Sequence, residues 1–337
     1  MRQTRDRDGA LTFIGTASTS LGGAICDRLG RPQGAAEVLR FSEGGIFVRI
    51  DENVRGRHTF VVQSTLFPAN DQLIELTFWL DALKRASAAS VTAVIPYFNY
   101  AKGDKLDQPR TSIRARVCAD MIQNAGADAA IMLDLHSPQV QGFFTRPADE
   151  LRAVGVMCDV IRRWAPSDLT VVSPDSGYVK RARDYAARLD APLAIADKRR
   201  TSHQERAEVS DVIGEVRGRN ALIVDDFVIS GRTLVQTARK LVEKGALSVM
   251  AAVTHGVFSP EAREVLEASP IEQLLVTDSV EGHPWPLPRT VRTVSVAPLF
   301  AEAISRAHRG ESISVLSGTS SVPIGRVSMS PRAAPRR

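Results

Sequence analysis

Along this chain, short apolar runs alternate with longer stretches whose apolar residues recur at helical spacing. The runs at 11–15, 59–63, 91–96, 129–133, 169–172, 193–195, 221–224, 248–253 and 273–277 predict buried strands. Between and after them, 21–29, 70–86, 112–124, 151–164, 179–189, 234–244 and 297–309 place apolar residues three or four apart and predict amphipathic helices. Residues 16–20 supply turn and cap chemistry ahead of the first helix, and Gly245 is a natural stop for the helix before it. Residues 38–50 predict two further strands joined by a turn at 42–45.

Strands separated by helices predict an α/β fold, each domain a mainly parallel sheet flanked by helices. The alternation runs from 11 to 148 and restarts over 149–296, which predicts two similar α/β domains. Residues 1–10 are polar and predict a loose N-terminus. Segment 297–316 carries a last helix, and 317–337, rich in Ser, Pro, Gly and Arg, predicts a disordered basic tail.

Composition narrows the class without naming it. A chain of 337 residues is long enough for two cores, and 44% hydrophobic with 24% charged residues is ordinary for a globular protein. No apolar run is long enough to span a bilayer and no apolar region follows the charged N-terminus, so a cytoplasmic protein away from membranes is expected. Cys26, Cys118 and Cys158 are scattered without a CxxC pair and read as reduced structural thiols. Of the net charge of +5, Arg326, Arg332, Arg336 and Arg337 in the acid-free tail account for four, so no basic face for nucleic acid is expected.

In open parallel sheets ligands bind beyond the carboxyl ends of strands, and the polar clusters fall there. Residues 220–234 read as a strand ending in Asp225 and Asp226, a turn through Ile229, Ser230, Gly231, Arg232 and Thr233, and then a helix. Such a turn offers backbone N–H groups to a phosphate, and the two acids could hold sugar hydroxyls or magnesium. His136 follows strand 129–133, Asp175 follows 169–172, and Lys198, Arg199 and Arg200 follow 193–195. Taken singly, each has a structural explanation: a capped turn, a core histidine, a helix cap, a solvated loop. Together they are a metal-ligating pair, a phosphate cradle and a cationic loop, the equipment of phosphoryl transfer.

From about 11 to 316 the chain resembles the ribose-phosphate pyrophosphokinase (phosphoribosyl pyrophosphate synthetase) family. The stretches that carry the resemblance are Glu52-Asn-Val-Arg-Gly56, 70–76, 91–98, 134–144, Thr254-His-Gly-Val-Phe-Ser259 and 301–304. The resemblance implies two phosphoribosyltransferase-like domains, an ATP side in 11–148, the sugar-phosphate loop in 149–296, and a C-terminal helix in 297–316 packing back on the first domain. It implies transfer of the β,γ-diphosphoryl group of Mg-ATP to the anomeric hydroxyl of ribose 5-phosphate. His136 and Asp175 would be magnesium ligands, and Lys198 and Arg200 catalytic cations on a mobile loop. Asp225 and Asp226 would face the sugar, and 229–233 would hold its phosphate. Phe41, Glu43, Gly44, Gly45, Lys102, Gly103 and His136 would border ATP. Homo-oligomers built from dimers into hexamers are implied as well.

Departures from the family pattern fall in the site. The turn reads Glu43-Gly44-Gly45 where the family carries a carboxylate at its last position, and Lys102-Gly103 stands for the family's Arg-Gln. Tyr178 replaces a glycine, Ile229 replaces an aspartate, and Arg232 replaces a small residue able only to offer its backbone. Three readings are open: a ribose 5-phosphate enzyme with tolerated substitutions, the same reaction on another pentose or ketohexose phosphate, or a non-catalytic regulatory homologue. Retention of His136, Asp175, Lys198, Arg200, Asp225 and Asp226 speaks against the third.

Overall fold

The computed structural model describes residues 9–164, 166–199 and 208–316. Most of the N-terminus expected to be loose, Arg200 and the tail expected to be disordered lie outside the described residues. The chain divides into two compact units. Among the described residues, the first runs to Arg152 and takes in Ser279–Gly282 and Val296–Leu316; the second holds Ala153–Asp278 and His283–Ser295.

Unit 1 runs β1 (Leu11–Ile14), α1 (Thr19–Leu29), β2 (Ala36–Arg40), β3 (Ile46–Ile50), β4 (His58–Val62), α2 (Ala69–Arg85), β5 (Ser90–Ile95), α3 (Arg114–Asn124), β6 (Ala129–Leu133) and β7 (Ala148–Leu151). Five strands pair in the order β1-β4-β5-β6-β7, every neighbour parallel. β2 and β3 form a separate antiparallel hairpin. Leu76, Leu80 and Leu83 recur along one stripe of α2 and are fully buried in the same core as Val61, Val91 and Ile95. Phe13 of β1 meets Trp79 of α2 with ring centroids 5.8 Å apart.

Unit 2 runs α4 (Val154–Trp164), β8 (Leu169–Ser173), α5 (Val179–Leu189), β9 (Leu193–Arg199), β10 (Glu208–Ile213), β11 (Asn220–Val228), α6 (Arg232–Glu243), β12 (Ser248–Gly256), α7 (Ala262–Glu267), β13 (Ile271–Thr277) and β14 (Val291–Val294). Its sheet has the order β10-β9-β8-β11-β12-β13-β14, parallel except where β10 returns antiparallel along β9. Leu234, Ala238 and Leu241 of α6 share a buried core with Ile223 and Val253 of the sheet. The last helix, α8 (Ala297–Arg309), buries Leu299, Phe300, Ala303 and Ile304 and contacts α1 of unit 1.

The fold class is the expected one, two α/β units each built on a mainly parallel sheet. Several element limits differ. β11 does not end before the acids: Asp225 pairs with Val253 and Phe227 with His255 of β12, so Asp225 and Asp226 lie inside the strand. Asp is a poor strand former, but the neighbouring strand continues to Gly256 and carries β11 with it. β9 likewise extends through the charged run to Arg199. β7 occupies 148–151, so the helix expected from 151 starts only at Val154. β10, α7 and β14 are additional elements that the apolar pattern does not predict.

Candidate active site

In unit 2 the carboxyl ends of the adjacent strands β8 and β11 bring three carboxylates together. The Asp175 carboxylate accepts the amides of Gly177 and Tyr178 through Oδ1 at 2.9 and 3.2 Å, so it does cap the approach to α5. The Ser173 hydroxyl holds its backbone, donating to the Asp175 carbonyl at 2.7 Å. Asp225 Oδ1 accepts the Asp226 amide and Asp226 Oδ1 the Phe227 amide, both at 2.9 Å. Asp226 is buried and Asp225 keeps some exposure while being densely surrounded by protein. Burial, followed by the charges of Asp226 and Asp175, pushes the Asp225 carboxyl well above the usual carboxylate range. The site therefore favours anything that relieves negative charge, whether a cation, a proton or hydroxyl donors.

The turn after β11 is fastened from beneath. The amides of Val257 and Phe258 both donate to the Val228 carbonyl at 3.0 Å, and Ser259 donates to the Ile229 carbonyl at 3.0 Å. Gly231 caps α6 at φ 76°, and a Cβ there would come within 2.7 Å of Leu266. Only glycine satisfies both constraints. Among the described residues, the amides of Ser230, Gly231, Thr233 and Leu234 find no acceptor, while the Arg232 amide makes one long 3.4 Å bond to Ser230 Oγ. A run of open amides at a helix start is an anion cradle. Arg232 and Thr233 are exposed, and Ile229 adds an apolar side chain that is 40% exposed. Glu261 lies close to Arg232: its own amide, the Ser259 hydroxyl and the Arg232 charge hold its carboxyl below the usual range. Tyr178 is buried within unit 2, so its bulk does not stand in open space.

Lys198 lies on strand β9, its backbone opposite Val209 of β10, rather than on a free loop. The antiparallel return of β10 extends the strand beyond the apolar run that ends at Ile195.

In unit 1 the β2–β3 turn is closed by the Phe41 amide on the Gly45 carbonyl at 2.8 Å and the Gly44 amide on the Phe41 carbonyl at 2.9 Å, with Gly44 at φ 92°. The Phe41 ring, exposed, leans on Phe47 at 6.0 Å, and Glu43 is exposed beside Gly45. Lys102 ends a short 3-10 turn, Asn99–Lys102, beyond β5 and is half-buried; Gly103 is buried. His136 is exposed after β6, at the end of a turn braced from β7. Glu150 accepts the Leu135 amide at 2.9 Å, and Arg152 pairs with buried Asp134 at 2.9 Å.

Among the described residues, no group of three His, Cys, Asp or Glu side chains forms a ready-made metal cage. Oxygen ligands in ones and twos suit magnesium, which keeps waters and shares substrate phosphates. Nothing local in the sequence signals the supports at Glu150, Arg152 and Glu261. Those at 257–259 are signalled only as part of the resembling stretch 254–259. No described helix is long and apolar enough to cross a membrane.

Comparison with known proteins finds relatives along most of the chain. The N-terminal domain of ribose phosphate pyrophosphokinase matches residues 10–126, and the phosphoribosyl synthetase-associated domain matches 201–317. A ribose-phosphate pyrophosphokinase of Maricaulis maris is 50% identical over 305 residues, covering 90% of this chain and 98% of the relative. That of Rhizobium meliloti is 47% identical over 312 residues, with 90% and 98% covered. The crystal structure of phosphoribosylpyrophosphate synthetase from Mycobacterium smegmatis superposes with a TM-score of 0.83 at 36% identity, over 90% of this chain and 99% of that one. The chain belongs to the ribose-phosphate pyrophosphokinase family and is a transferase of that type.

Proposed function

We propose that this enzyme transfers the β,γ-diphosphoryl group of Mg-ATP to the anomeric hydroxyl of ribose 5-phosphate. The anomeric oxygen would bond to the β-phosphorus, the bond from that phosphorus to the α-phosphate oxygen would break, and AMP would leave as the hydroxyl proton passes to water. The observation that supports this most is the pairing, within unit 2, of three crowded carboxylates with a turn of open amides. Asp225 and Asp226 would accept the sugar hydroxyls. Ile229, Ser230, Gly231, Arg232 and Thr233 would surround the 5-phosphate, with Arg232 adding charge. In unit 1, Phe41, Glu43, Gly44, Gly45, Lys102, Gly103 and His136 would border ATP. Lys198 and Arg200 would stabilise charge on the transferring group, so Lys198→Ala should lower kcat by about 10²–10³.

The donor set fits magnesium. Asp175, half-buried and adding its charge to the Asp225–Asp226 pair, would be one ligand, and His136 would be a second. When bound, magnesium would neutralise charge on the polyphosphate. We further propose a cytoplasmic homo-oligomer assembled from dimers into a hexamer, to be checked as a solution mass that is a multiple of 36.6 kDa.

Ile229 favours a second reading, in which the acceptor pocket is retuned for another pentose or a ketohexose phosphate. Purified protein with Mg-ATP and a panel of sugar phosphates, assayed for AMP release, separates the two. Release confined to ribose 5-phosphate supports the proposal. Preference for another sugar moves the assignment to the second reading, and release with no sugar overturns both.

A further inference from the structure

Gly103 has no room for a side chain, because a Cβ there would lie 2.6 Å from Nε and 2.8 Å from Cβ of Arg114. The loop that ends at Gly103 leaves the carboxyl end of β5, and the Ala115 amide donates to the Gly103 carbonyl at 3.1 Å. The start of α3 is thereby tied to this loop, and the Arg114 side chain lies along Gly103, next in sequence to Lys102. Arg114 is exposed and has no carboxylate partner among the described residues. In the same unit, Arg40, Arg49, Arg85, Arg116 and Arg152 each hold a carboxylate at 2.7–2.9 Å. Arg114 is also the first residue of α3, whose first turn contains no acid, so its charge works against the helix dipole. Helix stability therefore does not account for this arginine.

We infer that Arg114 is a nucleotide-binding residue, its guanidinium taking phosphate oxygens of ATP in the space that Gly103 leaves open beside Lys102. This rests on the reading of unit 1 as the nucleotide side. It also accounts for the Lys102-Gly103 departure. A lysine at 102 offers a point charge without a planar fork, and Arg114 supplies a fork from the next element. Gly103 and Arg114 then act as one steric pair: the glycine is needed because the arginine lies over it.

The test is Mg-ATP affinity by calorimetry on the full chain, for wild type, Arg114→Ala, Arg114→Lys, Gly103→Ala and the double variant Gly103→Ala/Arg114→Ala, with KM for ribose 5-phosphate measured alongside. Arg114→Ala is expected to weaken Mg-ATP binding about ten-fold or more, the value of a charge-assisted phosphate contact, with KM for ribose 5-phosphate within about two-fold. Arg114→Lys should recover only part of the loss. Gly103→Ala should weaken binding by pushing Arg114 aside, and should add much less once the guanidinium is gone, when only the contact with the Cβ at 114 remains. Unchanged nucleotide affinity in Arg114→Ala, an equal loss on the sugar side, or additive Gly103 and Arg114 effects would each overturn the inference while leaving the proposed function standing. A wild-type chain that bound no nucleotide would overturn the proposed function and this inference together.

Discussion

The surroundings of Asp225 disfavour its charge. Burial and the neighbouring carboxylates raise its proton affinity in the folded state above the ordinary value of 3.8. Its contribution to folding is therefore fully present below that ordinary value and is lost as pH rises through the elevated one. Asp225→Asn removes the effect while keeping an oxygen for the Asp226 amide. The variant is expected to lose activity yet melt about 2–4 °C higher near neutral pH, the shift that relief of about 1 kcal/mol gives in a protein of this size. The gain should shrink as pH falls toward 4. A melting difference that does not change with pH would contradict the account. Gly231 makes the opposite case. Gly231→Ala must place a methyl at φ 76° against Leu266, so a loss of about 1–3 kcal/mol in stability is expected, with weaker sugar-phosphate binding from a displaced turn. Denaturant melts and KM for ribose 5-phosphate read the two effects separately.

At the scale of elements, the His136 turn depends on β7. Asp134 is buried at φ 37°, and Arg152, the last residue of the first stretch of unit 1, is paired with it. Arg152→Ala leaves a buried charge without this partner, a change worth about 3–5 kcal/mol when such a pair is broken. The expected result is a large drop in thermal stability with a raised KM for ATP; an unchanged melt would show that the pair contributes nothing. β7 also shows where reading the sequence stops. The strands β4, β5, β6, β8 and β12 are legible because both faces are buried and the residues are almost all apolar. β7 reads Ala-Asp-Glu-Leu and β10 carries Glu and Asp; both lie at sheet edges, where one side faces no strand and the apolar signal disappears. The site divides the same way. Asp175, Asp225, Asp226 and Gly231 are legible because strand ends and a glycine before a helix carry local patterns. The Arg114 contact with Gly103 is not, because it exists only after α3 folds back onto the loop beyond β5.

At the scale of the whole molecule, the chain order and the packing order differ. Unit 1 is assembled from three separated stretches, the last of which carries α8. Phe300, fully buried, and Ile304 put the apolar stripe of α8 into unit 1, with Leu21 and Ile25 buried on α1, the helix it contacts. Residues 153–278 together with 283–295, by contrast, complete their own sheet without α8. The C-terminal segment therefore belongs energetically to the N-terminal unit. A chain ending at 295 should lose unit 1 cooperativity while unit 2 keeps a protected core; a chain ending at 316 should melt like the full protein. Phe300→Ala is the milder form of the same change and should cost about 3–5 kcal/mol, the range for removing a buried aromatic side chain. Hydrogen exchange resolved along the sequence is the measurement. Faster exchange in β1, β4 and β5 with β11 and β12 unaffected is the expected pattern for Phe300→Ala. Equal acceleration in both sheets would mean that the two units unfold as one, and that α8 stabilises the molecule as a whole rather than the unit it packs into.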